Sequence, residues 1–96
     1  MKEFERYIQT KHKGKSNAIL SAELQKKFNC SGRDIRNMVN EMRIRGVPIC
    51  ICNNGYYYAE SVEDIESTIA QLGSRIRGIK AAQDGLREIL NNYIGG

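Results

Sequence analysis

The stretch from Leu20 to Ile49, LSAELQKKFNCSGRDIRNMVNEMRIRGVPI, holds two helical patterns separated by only a few residues. Ser21 is expected to cap a first helix over 22–28, with Leu24 and Phe28 on one face. Asn29-Cys30 interrupts it. Ser31 starts the next helix, and Asp34 three residues later completes a capping-box variant. That helix is expected over 32–45, where Gly46 and then Pro48 give a sharp stop. At 100° per residue, Ile35, Met38, Val39 and Met42 fall within about 100° of arc. Arg33, Arg36, Asn37 and Asn40 fall within about 100° on the opposite side.

Working outward, Phe4, Tyr7 and Ile8 stand at helical spacing, so a short amphipathic helix is expected from Lys2 to about Lys11. HKGKSN (12–17) reads as a polar, basic loop, and Ala18–Leu20 as a short strand. Downstream, VPICIC and YYYA are strand-prone and flank an Asn-Gly pair. With Asn54-Gly55 as a two-residue loop, Asn53 pairs with Tyr56, Cys52 with Tyr57 and Ile51 with Tyr58. One face then carries Ile49, Ile51, Tyr56 and Tyr58, the better candidate for the core. The other carries Cys50, Cys52, Tyr57 and Ala59, and needs cover from either the tail or a partner.

Helix, short strand, helix, turn, helix and hairpin is the order of a winged helix-turn-helix, an α+β fold. Residues 4–60 resemble the winged-helix domains found at the front of the biotin operon repressor. The resemblance rests on the quoted stretch, with Leu24, Cys30, Ile35, Val39 and Met42 at the expected places, and on the closing GYYYA. Residues 61–96 do not look like that repressor's ligand domain, so ligand sensing is not expected. The overall design is similar to small phage-type regulators. The resemblance implies that the helix 32–45 enters the major groove of double-stranded DNA.

The residue types fit that implication. Arginine forks onto guanine N7 and O6, and asparagine can do likewise at adenine N6 and N7. Arg33, Arg36, Asn37 and Asn40 are therefore the candidate base readers, although a solvated helix face also carries such residues. Lys11, Lys13, Lys15, Lys26, Lys27 and Arg43 are candidate phosphate contacts, which position without reading sequence. Arg43 and Arg45 can equally complement the helix dipole. The expected wing tip, Asn53, Asn54 and Gly55, lacks Lys and Arg, which argues against a strong minor-groove contact.

The tail carries the second pattern. Ser61 and Asp64 form another capping box ahead of residues 62–94. With Val62 as heptad position a, the a series is Val62, Ile69, Ile76, Gln83 and Leu90. The d series is Ile65, Leu72, Ile79, Leu86 and Tyr93, so nine of ten seam positions are apolar or aromatic. Gly73, Gly78 and Gly85 lie off the seam. The alternative is a helical hairpin broken at GSRIRG, but Ile76 keeps the register through that stretch and favours one long helix. A homodimer through Ile65, Ile69, Leu72, Ile76, Ile79, Leu86 and Leu90 is expected. An antiparallel pair centred near Ile76 sets Glu66 against Arg87, which favours that orientation.

Two units follow, a DNA-binding domain at 1–60 and a dimerisation helix at 61–96. Residues 1–60 hold eleven Lys and Arg against six acids, and residues 61–96 four against five. A basic front with a near-neutral tail suits a polyanion-binding body. No membrane span, export signal, catalytic set, cofactor or small-molecule ligand is expected, and three unpaired Cys suggest a reducing, cytoplasmic setting. GKS (14–16) lacks the upstream glycines of a phosphate loop. The three Cys and His12 do not have the spacing of a zinc site. The competing function is an interaction adaptor that uses the same fold without touching DNA.

Overall fold

The computed structural model describes residues 2–95, an α+β arrangement of four α-helices and one antiparallel hairpin. Helix α1 (Lys2–Lys11) leads through a 3-10 turn (Lys15–Asn17) to α2 (Ser21–Phe28) and α3 (Gly32–Ile44). Strands β1 (Ile49–Cys52) and β2 (Gly55–Tyr58) follow, then α4 (Val62–Ile94).

The core gathers the apolar stripes that the helical spacing sets. Phe4 and Ile8 from α1, Leu24 from α2, and Ile35, Val39 and Met42 from α3 are all buried against Ile19, Ile49 and Tyr56. The rings of Phe4 and Tyr7 pack on Phe28 at 5.1 and 5.6 Å between centroids. Helix α2 begins one residue earlier than expected, with Leu20 at the N-cap and no side-chain cap. Ser21 Oγ instead accepts a hydrogen bond from Gln25 Nε2. Asn29 ends α2 in the left-handed region at φ 51°, which asparagine tolerates.

Helix α3 is closed at both ends. Ser31 and Asp34 exchange the reciprocal bonds of a capping box. At the other end the Val47 N–H donates to the Met42 carbonyl and the Gly46 N–H to that of Arg43. This is a Schellman motif, with Gly46 at φ 89° as it requires.

The hairpin departs from expectation in register. Cys52 pairs with Gly55, Ile51 with Tyr56, Cys50 with Tyr57 and Ile49 with Tyr58. The turn is therefore Asn53-Asn54, and Gly55 belongs to β2 rather than to the wing tip. The cause lies outside the hairpin. Ile19 and Tyr56 exchange backbone bonds of 2.8 and 2.9 Å, so Ile19 runs beside β2 as an isolated bridge in place of the expected short strand. At Gly55, φ 114°, a Cβ would fall on the Ile19 carbonyl oxygen. Only glycine fits that approach. The slip from the expected pairing is two residues, and because side chains alternate with period two, each face keeps its members.

Both faces are buried. Cys50, Tyr57 and Ala59 form a second small cluster with Ala18 and Cys52. The first turns of α4 provide its cover. Thr68 is buried, its Oγ1 accepts from the Ile51 N–H, and Gln71 Nε2 donates to the Ile51 carbonyl. Side chains of α4 thus close the free edge of β1, which would otherwise be open to pairing. Tyr57 donates its hydroxyl to Asp64 at 3.4 Å, and burial, with the neighbouring Cys50 and Asp64, pushes that hydroxyl up to about 12.

The cysteines are packing residues here. Burial pushes the Cys50 thiol up, away from the thiolate that reacts. Cys52→Ser should be nearly neutral for stability, whereas Cys50→Ser buries a hydroxyl at a site 1 % exposed and should cost about 1–3 kcal/mol. Urea titration of the two single variants separates them; equal midpoints would contradict the buried placement.

A pH effect follows from the cap of α4. Asp64 accepts from the N–H groups of Glu60 and Ser61, which hold its carboxyl below the ordinary carboxylate range. A depressed folded-state value stabilises above the unfolded value and loses that contribution as pH falls through the folded one. Asp64→Asn should therefore lower stability at pH 7 and flatten the wild-type decline towards pH 3. Urea midpoints at the two pH values check this.

Candidate nucleic-acid interface

With Ile35, Val39 and Met42 buried, the opposite side of α3 is held outward, and Arg33, Arg36, Asn37 and Asn40 are all exposed. The helix that carries them is fixed by its caps, its buried stripe and the preceding α2. Gln25 of α2 packs beside Gly32, at the start of α3 and close to Arg36.

The four residues do not share one environment. Arg36 and Asn40 border a cleft whose far wall is Gln71, Leu72 and Arg75 of α4. Asn37 instead borders a cleft lined by Glu3, Asp34 and Glu41. Positive charge on the Arg36 and Asn40 side is therefore increased by Arg75, brought there by the crossing of α4. Two residues of this surface escaped the sequence reading. Arg75 reaches it only through tertiary packing and has no local signal. Ile44, 84 % exposed, lies seven residues after Asn37 and so on the same face. That spacing was available in the sequence. An exposed aliphatic group beside candidate polar readers is of the kind that packs on a thymine methyl.

The expected phosphate contacts divide. Arg43 is not one of them: its Nε donates to the Ile49 carbonyl at 2.8 Å, and its Nη2 is buried without a partner. Desolvation disfavours its charged form, so it ties α3 to β1 rather than facing solvent. Lys27 holds its ammonium 4.9 Å above the Tyr7 ring, against α1 and away from Arg36. Lys26 is exposed on α2. Lys11, Lys13 and Lys15 are exposed on the segment that runs along the outer edge of β2, where Tyr58 bonds to His12 and Gly14. The structure does not bring these three to α3. Arg45 pairs with Glu5 at 3.5 Å. Asn53 and Asn54 are exposed at the turn and present amide groups only.

Beyond Arg75, α4 leaves the body. At 33 residues it is about 50 Å long, and the molecule extends 58 Å along its longest axis. The radius of gyration is 17.1 Å, against about 12.5 Å for a compact chain of this size. The helix is continuous through GSRIRG. Its seam is bare: Ile65, Ile69, Ile76, Ile79, Leu86 and Leu90 are all exposed. Leu72 is half-buried. Among the described residues no group of His, Cys, Asp and Glu converges as a metal site, and no helix is long and apolar enough to cross a membrane. No protein-family model, no curated protein and no solved structure matches this chain.

Proposed function

We propose that this protein is a winged helix-turn-helix that binds double-stranded DNA sequence-specifically, with α3 in the major groove and α4 joining two copies. The observation that carries the reading is the α3 face itself. Arg33, Arg36 and Asn40 stand exposed on a helix whose other side is buried, and Arg36 and Asn40 share a cleft with Arg75. Three features support the winged-helix assignment: the tight α2–α3 turn, the hairpin after α3, and the pairing of Ile19 with β2. The regulator class, a small dimeric transcription factor or a phage-type DNA-transaction accessory, follows from the resemblance of residues 4–60 and the bare seam.

In this account Arg36 and Asn40 read bases, while the lysines supply a non-specific term. Arg36→Ala or Asn40→Ala should cost roughly 1–3 kcal/mol on the preferred site and relax base preference there. Lys13→Ala should weaken all sequences about equally and flatten the salt dependence. Fluorescence anisotropy on a selected site and a scrambled one measures both. Intact affinity and preference in both α3 variants would remove α3 as the reader and favour the adaptor function.

A further inference from the structure

An apolar groove of about 300 Å³ runs along the start of α4, walled by Ile65, Thr68 and Leu72 on one side and Val47, Pro48 and Cys50 on the other. Ile65 and Leu72 belong to the seam, so the groove is continuous with the bare stripe that runs to the end of α4. We infer that its occupant is the C-terminal half of α4 from a second copy, lying antiparallel, with Ile89 of that copy seated in the groove. The inference rests on the proposed self-association and on the antiparallel orientation expected from the sequence, and adds the full seam register and a contact with the body.

Heptad geometry selects the register. In an antiparallel pair, position a of one helix faces d of the other. One alignment matches the whole seam: Ile69 faces Leu86, Ile76 faces Ile79, and Ile65 faces Leu90. The flanking positions then meet e with e and g with g. Glu66 and Arg87, both at e and both exposed, come together twice across the twofold axis. Within one helix they are 21 residues, about 31 Å, apart. In a parallel pair e meets g, and these two never become neighbours.

The g side is where the body sits, since Thr68 at g is the buried residue of α4. In this alignment the residue nearest Thr68 is Ile89 of the second copy. Ile89 is 52 % exposed, and its place at g has no role in a simple two-helix seam. Opposite the groove it acquires one. The same stretch carries Ala82 at g and Gly85 at c, on the side turned towards the neighbour's body. A Cβ at Gly85 would meet nothing of its own chain within 4 Å, so its own fold does not require glycine. A close approach to a second body does. Gln83, the polar residue of the seam, faces Leu72, which lines the groove with Arg43.

The test is sedimentation equilibrium of the full chain, without DNA, so that its outcome is independent of base reading. Glu66→Lys should weaken the dimer roughly threefold to tenfold, and adding Arg87→Glu should restore it to within about twofold. Ile89→Asp should weaken it about tenfold or more, with helix content by circular dichroism unchanged. A wild type that is monomeric at tens of micromolar would overturn self-association itself. A dimer in which Arg87→Glu gives no rescue would overturn the antiparallel register alone. A dimer indifferent to Ile89→Asp would overturn the groove contact.

Discussion

Gly55→Val should abolish cooperative folding or lower stability by at least about 3 kcal/mol. Two costs add at this position. The backbone sits at φ 114°, where a β-branched residue is strained, and the new Cβ would fall on the Ile19 carbonyl. Relief requires breaking the pair of bonds between Ile19 and Tyr56, and Tyr56 is a core residue. Small domains have only about 5–15 kcal/mol to lose. Gly78→Ala is the matched control. Nothing lies within 4 Å of a Cβ there, so it should stabilise α4 by up to about 1 kcal/mol. Urea melts followed by circular dichroism measure both; a Gly55→Val midpoint equal to wild type would contradict the described hairpin edge.

The second large effect is expected on assembly. Ile69→Glu with Ile76→Glu should convert a dimer into a monomer while leaving the body folded, because these side chains are 63 % and 66 % exposed in the single chain. Burying each such side chain is worth roughly 1.5–3 kcal/mol, and four are lost per pair. Dissociation constants should rise by more than about a hundredfold. Sedimentation equilibrium at tens of micromolar reads this directly. A double variant that stays dimeric would place the contact elsewhere.

What the sequence showed, and what it hid, divides along the range of the interactions. The starts of α3 and α4 are written in local chemistry, Ser31 with Asp34 and Ser61 with Asp64, and the structure has both boxes. The buried stripe of α3 and the continuity of α4 follow from periodicity alone. The hairpin register does not. Asn54-Gly55 is the stronger local turn signal, but Gly55 is needed beneath Ile19, a contact 36 residues away that no local pattern records. The same limit explains Arg43, which looks like one more surface cation until Ile49 claims its Nε. It also explains Lys27, drawn onto the Tyr7 ring. The Cys50 and Tyr57 face was legible as needing cover, and the first turns of α4 supply it. The remaining bare stripe, from Ile65 onward, is what a single chain has no means of burying.

The proposed base-reading face was legible as four residues on one arc. Their division between a cleft shared with Arg75 and another lined by carboxylates depends on where α1 and α4 cross α3. Arg36 and Asn40 therefore carry more of the expected affinity than Asn37. The measurement closest to the central claim is a gel-shift titration of wild-type protein against random duplex DNA at 50 and 200 mM salt, followed by selection of the bound fraction. Binding should weaken steeply with salt, and the selected pool should be enriched in one short motif. No shift at low salt, or a pool that stays random after selection, would contradict that claim.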